Sequence, residues 1–129
     1  MKGEILMKKR LILAIAAAAL VVVPATWAKD GDVLVRGTCT SSTTSKLKLS
    51  EEDGRIEVEF EVDQNRNGVR WSVVLRRPTT VLVRTTRVTR APSGSFELRR
   101  VVADLAGRDR ITARATSPSG EVCRATAAF

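Results

Sequence analysis

From Arg55 to Asp63 the chain alternates strictly, with Ile56, Val58, Phe60 and Val62 apolar and Glu57, Glu59 and Glu61 between them. Successive side chains on an extended strand point to opposite faces, so the segment predicts a strand with one buried face and one solvated, acidic face. Val69 to Arg77 repeats the pattern: Val69, Trp71, Val73 and Leu75 take one face, and Arg70, Ser72, Val74 and Arg76 the other. Together the two segments predict a hairpin closed around Asn65, Arg66, Asn67 and Gly68, with Asn67 and Gly68 supplying positive φ angles. Merging the apolar faces then pairs Val62 with Trp71, Phe60 with Val73 and Val58 with Leu75. The same register sets Asp63 beside Arg70 and Glu57 beside Arg76, where Arg76 would neutralise part of the Glu row.

Further extended segments are predicted at Asp32 to Thr40, Lys46 to Ser50, Val81 to Arg90, Phe96 to Ala103, Arg110 to Thr116 and Glu121 to Ala128. Turn residues separate them at Ser41 to Ser45, Pro78, Pro92 to Ser95, Gly107 and Pro118 to Gly120. In Phe96 to Ala103 the apolar phase changes between Leu98 and Val101, which predicts a bulge near Arg99 and Arg100. No helical stripe competes. The pattern therefore predicts an all-β sandwich or barrel with a count of eight strands.

The N-terminal 28 residues read differently. A basic stretch (Lys2, Lys8, Lys9, Arg10) precedes an apolar run from Leu11 to Val23 and then Pro24, Ala25, Thr26, Trp27 and Ala28. That order predicts a secretory signal peptide over 1–28, cleaved after Ala28, since the run is too short to span a bilayer and small residues follow it. An uncleaved anchor is the competing reading, and Met7 is an alternative start. The remaining domain, 29–129, carries 18 basic and 13 acidic side chains. The expected location is outside the cell or in the envelope, with no membrane span after signal cleavage. In an oxidising compartment Cys39 and Cys123 predict one disulfide joining the first and last strands, against the rival of two free thiols.

Trp71 on an early strand, the alternation of Asp109, Ile111, Ala113 and Ala115 on a late one, and the turn into Val122 carry a family resemblance. Over most of the mature chain the sequence resembles the immunoglobulin-like sandwiches common in exported bacterial proteins. The resemblance implies an Ig-like, antiparallel two-sheet sandwich of seven to eight strands and no particular activity. Trp71 follows Cys39 by 32 residues, farther than in antibody-type domains, and the chain contains no Tyr for a tyrosine corner.

Composition narrows the chemistry. With no His in 129 residues, the commonest general base, the serine and cysteine triads and most zinc or copper sites are excluded. No cofactor is expected. Glu57, Glu59 and Glu61 could serve as paired carboxylates of a carbohydrate-active hydrolase or lyase, which is the alternative function; an exposed strand face explains them more simply. Asp63, Asn65 and Asn67, followed by Gly68, match the opening of a calcium loop, but Val74 stands where a bidentate Glu belongs and Arg66 adds a cation. Ser and Thr near Lys46 and Lys48 carry no sign of a strained nucleophile or an oxyanion hole.

Charge is the most distinctive feature. Between Arg66 and Arg114 there are 12 Arg against three acids, whereas Glu51 to Asp63 is acidic with a single Arg. The planar guanidinium suits phosphate and sulfate, so Arg70, Arg76, Arg84, Arg90, Arg99 and Arg100 are candidate anion-binding residues. Aromatic side chains for stacking bases are missing from these segments apart from Trp71, which the alternation buries, so sequence-specific nucleic-acid recognition is not expected. The expectation is a secreted, non-catalytic binding or structural module whose partner is an anionic envelope polymer or another exported protein. A purely compositional Arg excess is the competing reading.

Overall fold

The computed structural model describes residues 31–129; the expected signal peptide lies outside the described residues. Nine strands run in the order β1 (Val33–Arg36), β2 (Thr38–Cys39), β3 (Thr44–Glu52), β4 (Arg55–Asp63), β5 (Arg70–Arg76), β6 (Val81–Val88), β7 (Ser95–Ala103), β8 (Arg110–Thr116) and β9 (Val122–Ala128). They form two antiparallel sheets, one ordered β1-β3-β4-β7 and the other β2-β9-β8-β5-β6. This is the predicted all-β sandwich, with one strand more than expected because the first segment divides at Gly37 and its halves enter different sheets. A Cβ on Gly37 would meet Ser45 Oγ and the Arg124 carbonyl oxygen at 2.8 Å, so the crossing admits no side chain. The first sheet is built on a β3-β4 hairpin.

The core lies between the sheets and is unequally supplied. The first sheet contributes Leu47, Leu49, Ile56, Val58, Phe60, Val62, Phe96 and Leu98, and the second places Trp71, Val73, Leu75 and Ile111 beside small residues Ala113, Ala115, Ala125 and Ala127. Small residues on β8 and β9 leave room for the bulky row of β3 and β4. Trp71 is fully buried, its ring centroid 6.2 Å from that of Phe96 and tilted by 49°, and its indole N–H donates to Gln64 Oε1 at 3.2 Å.

The predicted hairpin of Arg55 to Asp63 with Val69 to Arg77 does not form. β4 pairs with β3 and β7, and β5 pairs with β6 and β8, so the two segments lie in opposite sheets. Val62 with Trp71, Phe60 with Val73 and Val58 with Leu75 are not ladder partners, and neither are Asp63 with Arg70 or Glu57 with Arg76. Both arrangements bury the same apolar faces. Lys46 and Lys48 of β3, registered against Glu61 and Glu59, supply the charge complement that the hairpin would have drawn from β5.

Residues 64–69 instead carry the chain across the sandwich. Asn65 (φ 59°) and Gly68 (φ 80°) turn the backbone there, not the Asn67–Gly68 pair. Thr89, 1% exposed, holds the crossing: its hydroxyl accepts from the Val69 N–H at 2.9 Å and donates to the Arg66 carbonyl. The return crossing packs against this one at Gly94 (φ 70°), where an added Cβ would collide with the Arg66 nitrogen and the Asn65 carbonyl carbon.

Three smaller expectations change. The register of β7 against β4 runs unbroken from Ser95–Asp63 to Ala103–Arg55, so there is no bulge at Arg99 and Arg100. Val101 faces solvent and Val102 is half-buried, which accounts for the apparent change of phase. The observed irregularity falls between Leu75 and Arg76, against β6. The segment predicted to reach Arg90 ends as a strand at Val88, leaving Arg90 in an isolated bridge to Ser95.

Cys39 and Cys123 form a disulfide between directly opposed residues of β2 and β9. The bond is compatible with an oxidising environment outside the cell. No helix among the described residues is long and apolar enough to cross a membrane.

Candidate functional site

The two sheets turn chemically different faces to solvent. On the first, the Glu row of β4 is engaged by cations from both neighbours. Lys46 Nζ lies 3.3 Å from Glu61, Lys48 Nζ 3.8 Å from Glu59, and Arg99 bridges Glu57 at 3.1 Å and Glu59 at 3.7 Å. Burial and a hydrogen bond with Glu59 push the Glu57 pKa up, while Arg99 pulls against them. Glu97 is raised by burial and by the Glu59 charge, again opposed by Arg99. A groove of about 380 Å³ lined by Leu34, Lys46, Lys48, Glu59, Glu61 and Glu97 therefore presents both signs of charge.

Asp63 spends one carboxylate oxygen locally, accepting from the Asn65 N–H at 3.1 Å, which fixes the turn out of β4. Among the described residues no group of three or more acidic or cysteine side chains is placed to hold a metal ion.

The second sheet is different. Its five strands contain no Asp or Glu, and alternation sends Arg70 and Arg76 of β5, Arg84 of β6, Arg110 and Arg114 of β8 and Arg124 of β9 to the outer face. All six are exposed, and among the described residues none makes an ion pair. Ladder registers align them. Arg84 opposes Val74, Val74 opposes Arg114, and Arg114 opposes Arg124, forming one row across four strands. Arg114 and Arg124 are thus directly opposed cations with backbones ~5 Å apart, an arrangement that destabilises a sheet. Arg76 sits one pleat along β5, beside Thr112, and these side chains with Val74 line an open groove of about 320 Å³.

Of the residues singled out in the sequence, Arg70, Arg76 and Arg84 belong to this face. Arg90 projects from the turn between the sheets, beside Glu61 and Glu97. Arg99 is on the other sheet, tied to Glu57 and Glu59, and Arg100 donates to the Arg99 carbonyl at 2.9 Å. The residues that sequence reasoning missed are Arg110, Arg114 and Arg124. Their signal was available, since Arg110 and Arg114 alternate with Ile111, Ala113 and Ala115, and Arg124 stands between Cys123 and Ala125.

A separate buried pair closes one end of the sandwich. Arg77 Nε lies 3.2 Å from Asp109 Oδ1, with their side chains 11% and 5% exposed, while Asp109 Oδ2 accepts from the Leu105 N–H at 2.9 Å. With every oxygen occupied, this pair is structural.

Compared with known protein families, curated proteins and solved structures, the chain matches none.

Proposed function

We propose that this protein is an exported, non-catalytic module that binds an anionic polymer through the outer face of the second sheet. The observation that carries the reading is the separation of charge by face. Six outward Arg lie on strands without a single acid, while the Glu row opposite is engaged by Lys46, Lys48 and Arg99. Unneutralised guanidinium groups on a rigid sheet concentrate positive potential, attract polyanions over the screening length and engage them by charge-assisted hydrogen bonds. The predicted signal peptide and the disulfide favour action outside the cell, where anionic envelope polymers are the partners of matching charge.

The test is binding of the chain from Lys29, the expected mature form, to a phosphate-bearing polymer across a salt series. If two to four phosphates are neutralised, affinity falls ~10- to 10²-fold between 50 and 200 mM salt. Replacing Arg84 and Arg114 by Gln flattens this dependence, and replacing Lys46 and Lys48 does not. Salt-independent binding, or equal effects of the two double variants, would place recognition elsewhere and favour a protein partner.

A further inference from the structure

We infer that the cationic face takes a phosphodiester polymer without bases, laid across the strands with successive phosphates in two arginine clamps. The inference rests on the polyanion reading above and specifies its ligand. One clamp is Arg114 with Arg124, directly opposed on β8 and β9. The other is Arg76 with Arg84 on β5 and β6: Arg84 opposes Val74, two residues before Arg76, the register slips by one residue between them, and both side chains line one groove. Directly opposed residues lie ~5 Å apart and diagonal ones ~7–8 Å, within which two arginine side chains can converge on one anion. The clamp centres are two strand spacings apart, ~10 Å, with Val74 and Thr112 forming the floor between them.

Each part of this arrangement selects for a property of the ligand. Two forks converging on one group suit a tetrahedral centre, whose unesterified oxygens accept from different directions; a planar carboxylate is saturated by one bidentate fork. A half-buried Val between the clamps accommodates an aliphatic spacer rather than another charge. Bases find no platform, because Trp71, Phe60 and Phe96 are buried in the core and the outer face of the sheet carries no aromatic residue. The unfavourable Arg114–Arg124 opposition is relieved when an anion sits between the two, which gives a physical role to a pair that weakens the free protein.

The experiment compares three probes of equal charge number by calorimetry at low salt: poly(glycerol phosphate), single-stranded oligothymidylate and poly-glutamate. The expected order places poly(glycerol phosphate) tightest. R114Q/R124Q weakens its binding about tenfold or more and lowers the salt slope by about one, the loss of one phosphate contact. K46Q/K48Q leaves both unchanged. Each variant is checked for the buried-indole fluorescence of Trp71, so that loss of binding is read on folded protein. Poly-glutamate binding as tightly as the phosphodiester, or tighter oligothymidylate binding, overturns this inference while leaving the polyanion reading intact. Failure of all three to bind in a salt-sensitive way overturns both.

Discussion

Breaking the Cys39–Cys123 bond should remove a large fraction of the domain's stability, although it touches one of the smallest elements. β2 has two residues, and its only ladder pairs are Thr38 with Arg124 and Cys39 with Cys123. The larger effect lies in the unfolded chain. The bond closes a loop across a sequence separation of 84, which in the chain-entropy description withholds about 15 cal/mol/K from the unfolded ensemble, or about 4.6 kcal/mol at 25 °C. Domains of this size are stable by roughly 5–15 kcal/mol in total, so the reduced protein should retain a folded state with a thin margin. Denaturant titration of oxidised and reduced protein, followed by Trp71 fluorescence, measures the difference. The midpoint should drop by the equivalent of about 4–5 kcal/mol, and the denaturant slope should rise because the reduced unfolded chain exposes more surface. Amide exchange should show β1 and β2 opening before β4 and β8, which are paired on both sides. An unchanged midpoint on reduction, with a bond verified beforehand, would refute the reasoning.

Other expectations follow from single residues. Trp71→Ala should cost about 3–5 kcal/mol, since it empties the largest fully buried site, and Gln64→Ala about 1 kcal/mol through the lost indole partner; denaturant midpoints check both. Gly94→Ala should destabilise well beyond Gly107→Ala, for which left-handed backbone alone costs about 1–2 kcal/mol, because only Gly94 packs against the other crossing; equal losses in melting temperature would disprove the back-to-back contact. Two carboxylates should bend the pH–stability curve in opposite senses. Burial alone would raise the Glu121 pKa, but hydrogen bonds from Ser41, Thr43 and Gln64 hold it below the ordinary Glu value. Its contribution is therefore present above the unfolded-state pKa and lost as pH falls through the lowered folded value, a loss that Glu121→Gln should remove from melting curves. Glu97 is raised, so stability falls as pH rises through its window, and Glu97→Gln should stabilise the domain near neutral pH.

Alternation by itself determined which residues of 55–63, 70–76 and 110–116 enter the core and which meet water, because the pleat admits only two faces. It also determined that Trp71 is buried. What it left open was the partner of each strand. An apolar face on β4 and another on β5 are satisfied equally by lying side by side or by facing each other across the core, and a local pattern does not distinguish these. Tertiary structure decided it through the crossing at residues 64–69, held by Thr89 and packed on Gly94, and through Lys46 and Lys48, which answer the Glu row from β3. The candidate site divides in the same way. Excess Arg was plain in the composition, and its outward phase could be read strand by strand. That Arg84, Arg114 and Arg124 share one row, while Arg99 joins the acids on the opposite face, depends on which strands are neighbours, and neighbours are chosen by contacts distant in sequence.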